Sequence, residues 1–408
     1  MNSLRWAAAT ALSVKLLLAL FTTGTNDSIT WDYDVATMRS SGAIELYRHG
    51  VQYMTSAGTL GGRQKFIHPP ASLHGLLVLG ALQDVTGLPP HVWMRVGCSL
   101  ADVGTLMLLW LMFPEAVYRP ALVLVAVSPL AVMVSGFHGN QDPIMMFFVV
   151  LSVWLLKKNR VGWAGVAFGL ALGVKLVPVI FAPALLLSIA SSRNRVRWTG
   201  AVVVTWIAAS LPWLIEAPRF ILGTISGYSG STGLWGFYLL AGILRDSGYP
   251  VWYQIYAPCA KWIALGAIAA FPLILRYRRL HLNVFAECGL VASLFLFLSP
   301  GFGLQYLAWT VPWVVILAPR VIARYFAVAC IFMLGVYTEA AWANGGRFYA
   351  DLLLNTNWHL LIELGIVCWV VMGIMAGSYW RLVVRSTELP AADSRPAQPA
   401  RLCGNENR

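Results

Sequence analysis

Carboxylates are scarce in this chain: 17 of its 408 residues are Asp or Glu, against 29 Lys and Arg, and charged residues make up only 11%. With 58% hydrophobic residues and a mean hydropathy of +0.68, the apolar surface is more than a water-soluble fold can hide. Strict alternation of apolar and polar residues is also missing. The apolar runs are continuous over roughly 20 residues, which excludes a membrane β-barrel and leaves an all-α polytopic membrane protein. The six cysteines (Cys98, Cys259, Cys288, Cys330, Cys368 and Cys403) fall almost all in apolar runs or the tail, so no disulfide framework is expected. "FTTGTND" offers no small-x-small cleavage site, and residues 1–23 read as an uncleaved first span instead of a signal peptide.

What is present in excess is positive charge, a net +12. It lies in short clusters between apolar runs: "KKNR" 157–160, "RNRVR" 193–197, "RYRR" 276–279, "PRVIAR" 319–324, and Arg381 with Arg385. That is the pattern of cytoplasmic loops and does not call for nucleic acid. Placing the N-terminus inside, crossings are expected at 4–23, 92–113, 118–136 and 143–156, then a short broken helical pair over 161–190, interrupted near Lys175, Pro178 and Pro183. Further crossings follow at 198–215, 254–275, 282–299, 304–318, 322–341 and 358–378, for about 11–12 membrane helices. The run "ASLHGLLVLGAL" 71–82 is too short to cross and reads as an interfacial or re-entrant helix. A full crossing there would turn the basic clusters outward. On this topology the first outer loop (24–91), "HGNQDP", a Gly- and aromatic-rich loop over 216–253, "GFGLQY" and Arg347 share the extracytoplasmic face.

Two of the rare acids, Asp32 and Asp34, stand in "TWDYDVATMRSSG" just after the first span. They read either as a solvated loop or N-cap for a helix starting near Val35, or as a general base at the membrane surface. Two residues apart at a helix start, their side chains would splay. "HGNQDP" gathers His138, Asn140, Gln141 and Asp142 in one turn, suited to binding a phosphate or sugar, or a divalent metal through Asp142 and His138; a plain hydrophilic turn is the alternative. Lys175 is an ionisable residue inside an apolar segment and hence a candidate for an anionic headgroup, unless it snorkels or pairs with Asp102. Arg95 and Asp102 read as a structural pair, and Lys15 as a snorkelling residue. His68, Arg39, Lys65, Gln305, Tyr306 and Arg347 are softer candidates for substrate contacts on the same face.

These pieces, in this order, resemble the GT-C superfamily of membrane glycosyltransferases. The likeness runs through "WDYDV", "HPP", "LADVGTLMLLWL" (100–111), "SPLAVMVSGFHGNQDPIMMFFVVLSVWLL" (128–156), "AGVAFGLALGVKLVPVIFAPALLL" (164–187) and "SPGFGLQYLAWTVPW" (299–313). The 128–187 block is similar to the polyprenyl-phosphate-glucose glucosyltransferases of N-glycan assembly, and "SPGFGLQY" to the GPI-type and bacterial mannosyltransferase branch. The resemblance implies a GT-C-like bundle with juxtamembrane helices in the first outer loop. It implies a catalytic module over 1–190 and variable membrane helices over 191–380. After Arg381 the chain turns polar and rich in Pro, Ala and Ser, and 381–408 reads from that composition as a disordered cytoplasmic tail.

The resemblance also implies a multi-pass enzyme of a bacterial plasma membrane, or of the endoplasmic reticulum in a eukaryote, with its site outside. That enzyme would move mannose or glucose from a polyprenyl-phosphate donor to a hydroxyl of a glycan, glycolipid or protein. The family's aspartate base maps to Asp32, with Asp34 as the alternative; the "HGNQDP" turn and Lys175 map to the donor phosphate. Where the N-glycan branch carries aromatic and histidine residues, this chain has Asn140, Gln141 and Asp142, which leaves metal use open. Inverting transfer needs one base and positive charge at the leaving phosphate, and no second carboxylic acid. A transporter or lipid-carrier flippase is the competing class, although no inverted repeat is visible; a non-catalytic assembly subunit would tolerate replacement of the outer acids.

Overall fold

The computed structural model describes residues 2–54, 60–227, 231–232, 235–278, 283–343, 349–350 and 358–388. Arg347 and residues 389–408 of the tail lie outside the described residues.

The chain opens with α1 (Asn2–Phe21), passes through the two-residue strand β1 (Gly24–Thr25) and enters α2 (Asn26–Ser41) and the single turn α3 (Glu45–Arg48). An antiparallel hairpin of β2 (Val51–Met54) and β3 (Leu60–Gln64) and the 15-residue α4 (Ser72–Thr86) complete this first connection. The crossing α5 (Pro90–Met112) follows, then a segmented one: α6 (Arg119–Ala126), α7 (Pro129–Met133) and a π turn over Val134–His138. Next come α8 (Asp142–Lys157), α9 (Val161–Val174), a 3-10 stretch Val177–Phe181, α10 (Ala182–Ser188) and α11 (Ser192–Glu216). The remainder comprises α12 (Pro218–Gly227), β4 (Ser231–Thr232), α13 (Gly236–Asp246), α14 (Pro250–Tyr277), α15 (Val284–Leu298), β5 (Gly301–Phe302), α16 (Pro319–Ala343), β6 (Tyr349–Ala350) and α17 (Trp358–Glu388).

Among the described residues, 7 helices are long and apolar enough to cross a bilayer, and shorter apolar ones fill the bundle between them. The protein is thus an all-α polytopic membrane protein, as composition demands. The broken pair is there: Lys175 is extended between α9 and the 3-10 stretch, where Pro178 and then Pro183 start new turns. Three expectations are corrected. The helix carrying Asp32 and Asp34 starts at Asn26, nine residues before Val35, so both acids sit inside it. The 216–253 connection holds two helices, α12 and α13. The run expected to cross at 304–318 folds as two 3-10 stretches, Leu304–Thr310 and Trp313–Ile316.

Close packing at the centre is a matter of small residues. On α9, Gly165 and Gly169 lie one turn apart and face α11. A Cβ on Gly169 would stand 2.8 Å from the Val202 carbonyl oxygen and 2.8 Å from Thr205 Cβ. Glycine is what lets the two backbones meet.

Buried charge is satisfied in two ways. Arg95, fully buried on α5, donates to the Ala19 and Thr22 carbonyls at 2.8 Å each, filling the unpaired C-terminal end of α1. Asp102 therefore does not pair with Arg95, nor with Lys175: Lys15 reaches it at 2.5 Å, and Ser135 donates to the same oxygen. Lys15 is buried and paired, so it does not snorkel.

The apolar interior forms two clusters. The larger runs through the bundle from Leu106 to Tyr379; the smaller is built on α2, α4 and the hairpin around Trp31, Tyr47, Phe66 and Leu76. The π turn packs against α1, α2 and α5, and α8 packs against α9.

Candidate functional site

The helical period sorts the acids of α2. At 3.6 residues per turn, Asp32 and Asp34 point about 200° apart, while positions 27, 31 and 34 fall on one face. That face lines a polar cavity of about 70 Å³ formed by Asp27, Thr30, Trp31, Asp34, Lys65, Phe66, Ile67, His68, Asn140, Lys175 and Gln305. Of the residues singled out in the sequence, Asp34, His68, Asn140, Lys175, Gln305 and Lys65 are therefore gathered together. Asp32 is not among them. Its carboxylate accepts from the His91 backbone N–H at 2.8 Å and from His91 Nδ1 at 2.6 Å, at the first turn of α5. Arg39 is elsewhere too, reaching the Gly80 carbonyl at 2.5 Å and Asp84 at 2.7 Å on α4.

Asp27 did not stand out in the sequence, yet two side chains of the "HGNQDP" turn converge on it. Its Oδ2 accepts from Asn140 Nδ2 at 2.9 Å and lies 3.1 Å from His138 Nε2. The π turn makes this possible, since it ends at His138 and hands the chain to Gly139 in the left-handed region at φ +76°. A side chain on Gly139 would also run into Ser28 Oγ at 2.8 Å. The Gly139 carbonyl accepts from Trp31 Nε1 at 2.7 Å, and the His138 carbonyl from Thr25 Oγ1 at 2.8 Å, so α2 is laced to the turn.

Gln141 and Asp142 turn away from the cavity to hold the other wall. Gln141 Nε2 donates to the Val174 carbonyl at 2.9 Å, and Asp142, fully buried at the start of α8, takes Lys175 Nζ at 2.7 Å. Lys175 is thereby fixed at the rim. Its ammonium lies 5.9 Å from the centre of the Tyr306 ring. It also opens on a second, largely apolar cavity of about 360 Å³, whose wall includes Leu176, Val179, Ile180, Lys261, Leu265, Phe295, Tyr306 and Trp309. One lysine thus stands between a polar chamber and an apolar cleft.

The electrostatics of the two cavity acids diverge. Burial pushes the Asp34 carboxyl up to about 8. Burial would raise Asp27 as well. The hydrogen bonds from His138 and Asn140 and the Lys175 charge outweigh that and hold it well below the usual carboxylate range. Burial pushes the His68 imidazole down to about 3, reinforced by Lys175, so it stays neutral against the Trp31 ring, 5.4 Å away and stacked. The buried Asn140 Oδ1 has no partner among the described residues, an arrangement costing about 1–3 kcal/mol that a bound hydroxyl would relieve.

A metal held by His138 and Asp142 does not fit this geometry. Both His138 nitrogens are engaged, by Tyr337 Oη at 2.7 Å and by Asp27, while Asp142 Oδ1 holds Lys175. No cluster of three or more His, Cys, Asp or Glu side chains with metal-binding spacing occurs among the described residues.

A search of curated proteins gives no match. A family model does match, over residues 66–300, and its description is Glycosyltransferase family 87.

Proposed function

Because the chain belongs to glycosyltransferase family 87, a GT-C-type membrane glycosyltransferase family, we propose that it transfers mannose or glucose from a polyprenyl-phosphate carrier to an acceptor hydroxyl, with inversion at the anomeric carbon. The observation that carries this reading is the position of Lys175, shared by the polar chamber and the apolar cleft of about 360 Å³. A ligand suited to that junction is apolar at one end, anionic in the middle and rich in hydroxyls at the other. A lipid-phosphate sugar has that order.

In this reading the prenyl chain occupies the cleft, and Lys175, locked by Asp142, meets the phosphate. The sugar lies among Asn140, Asp27 and Gln305, with His68 and Trp31 as an apolar wall. Asp34 accepts the acceptor's hydroxyl proton as its oxygen bonds to C1. The C1–O bond to phosphate breaks, and its electron pair leaves with the polyprenyl phosphate against Lys175. A carboxyl near 8 is a better base than an ordinary one but is mostly protonated at neutral pH. Transfer should therefore rise with pH and level off above about 8. Asp32, the residue the resemblance mapped first, is assigned to anchoring α2, and the base moves two residues along.

The orientation is part of the same proposal. α8 runs from Asp142 at the site to Lys157 in the basic cluster, 16 residues and about 24 Å. The site thus lies at the end opposite a cluster that the positive-inside rule places in the cytoplasm.

The test is transfer by the purified protein from polyprenyl-phosphate-linked mannose or glucose, comparing wild type with Asp34→Asn, Asp27→Asn and Asp32→Asn, each with and without chelator. Transfer abolished by Asp34→Asn in folded protein and retained by Asp32→Asn is the expected result. Unchanged transfer in Asp34→Asn rejects the base, and no transfer by wild type from either sugar rejects the donor.

A further inference from the structure

Tyr337 lies on α16, beyond the segment 66–300 that matches the family, yet its hydroxyl reaches the site from behind. It is buried at 3% exposure, and its Oη is 2.7 Å from His138 Nδ1; the other ring nitrogen, Nε2, is 3.1 Å from Asp27 Oδ2. His138 is itself fully buried.

An ionised carboxylate only accepts, so Nε2 must carry the proton and donate to Asp27. A neutral imidazole has one N–H, so Nδ1 then holds a lone pair. The group facing that lone pair is Tyr337 Oη, which is able to donate. The His138 and Asn140 bonds both fall on Oδ2, leaving Oδ1 of Asp27 as the oxygen they do not engage on a side chain that lines the chamber.

We propose that Tyr337 is a positioning residue for transfer: by donating to Nδ1 it locks His138 in the Nε2–H tautomer, which fixes Asp27 and presents its second oxygen to the sugar. The catalytic consequence rests on the reading of the site given above; the tautomer does not. Without the tyrosine hydroxyl, the imidazole proton can move to Nδ1, and the Nε2 lone pair then faces the carboxylate and repels it. Helices outside the matched segment would in this way take part in setting the geometry of the donor sugar.

The experiment uses the full chain and two variants, Tyr337→Phe and His138→Gln. Phenylalanine keeps the ring packing against Phe137, whose centroid is 5.3 Å away, and removes one oxygen atom. Protein labelled with 15N-histidine, with the His138 signals assigned by their absence in His138→Gln, should show the neutral Nε2–H pattern in wild type and its loss in Tyr337→Phe. In the transfer assay Tyr337→Phe should lower kcat about tenfold with the donor KM changed less than about twofold. Made in the His138→Gln background, where the amide donates to Asp27 without help, the same change should cost nothing further.

An imidazolium pattern in wild type, or an unchanged neutral pattern in Tyr337→Phe, overturns the proposal. So does an equal loss in the His138→Gln background, which would mark the tyrosine as packing alone. If wild type transfers neither sugar, the donor assignment fails while the 15N spectra still decide the tautomer.

Discussion

One helix, α2, carries acids on two faces, and the faces differ in how those acids are treated. On one side Asp32 and Arg39, seven residues apart, clip α2 to α5 and α4 through His91 and Asp84, so each charge has an opposite or complementary partner. On the other side Asp27, Trp31 and Asp34 look into the chamber, and Asp34 is buried with its carboxyl raised and in no ion pair among the described residues. The first arrangement is what a fold does with surface charge. The second is unfavourable for folding and is what a site needs. The difference separates the roles of two aspartates that in the sequence stand almost side by side.

The largest effect is expected at Asp34. Asp34→Asn should lower kcat by about 10²–10⁴-fold and remove the rise in rate with pH. Its effect on stability should have the opposite sign. The folded state holds the Asp34 proton up to about 8, and the unfolded state releases it near 3.8. Wild type therefore loses stability as pH rises between those values, and the asparagine variant does not. Thermal unfolding from pH 5 to 9 checks this: the variant should gain on wild type toward the alkaline end. A variant that loses both activity and stability at every pH would place Asp34 with the anchors.

Lys175 comes next. Lys175→Met removes the charge proposed to meet the phosphate, an effect of about 10²–10³ in kcat, and strands the buried Asp142, at about 3–5 kcal/mol of stability. Adding Asp142→Asn should restore much of the unfolding midpoint and none of the transfer. The Lys15–Asp102 pair is the control, being buried in the bundle and absent from the walls of both the chamber and the apolar cleft. If the double variant at 175 and 142 transferred sugar normally, the lysine would belong with Lys15 as a packing charge.

How much of this was readable in the sequence follows from the physics of each part. The long crossing helices were legible because length and apolar content are local properties. The break at Lys175 was legible because prolines and an intramembrane lysine leave few other readings. α2 was not, because "NDSITWDYDVATMRSS" has no continuous apolar stripe: Trp31 and Val35 join the smaller apolar cluster, Asp32 and Arg39 meet α5 and α4 through charged groups, and Asp27 and Asp34 border the polar chamber. Once those residues are known to be helical, the spacing 27, 31, 34 is the signal that would have found Asp27. The lysine partners could not be read at all. Lys15 meets Asp102 across 87 residues and Lys175 meets Asp142 across 33, and the sequence permits other pairings, including those expected at first.

A smaller effect is expected where the two regions lean on one seam. Gly169→Val forces a side chain into the Val202 carbonyl and Thr205, contacts of 2.8 Å even for a Cβ. That should cost about 1–3 kcal/mol and move α9, whose end carries Lys175, so transfer should fall without any change in its pH dependence. Gly200, with open space around its Cβ position, is the matched neutral site on α11. A Gly200→Ala variant as impaired as Gly169→Val would show that the seam tolerates no substitution, and the link to Lys175 would lose its support.

The smallest effect is expected at Asp32, and it is the sharpest test of the division within α2. Asp32→Asn keeps an oxygen to accept the His91 backbone N–H, now 2.8 Å from the carboxylate, and loses the charge at the start of α5 and the second oxygen that faces His91 Nδ1 at 2.6 Å. Such a terminal charge is worth about 0.3–1 kcal/mol, and a group half open to solvent falls toward the lower end. Transfer should stay within about twofold of wild type, with the pH profile unmoved. Asp32→Ala, which also deletes the cap, should cost about 0.5–2 kcal/mol in unfolding and still transfer sugar once folded. Folded Asp32→Asn without activity, beside an active Asp34→Asn, would exchange the two faces: the base would be the residue clipped to His91, and the chamber acids would serve only to shape the wall.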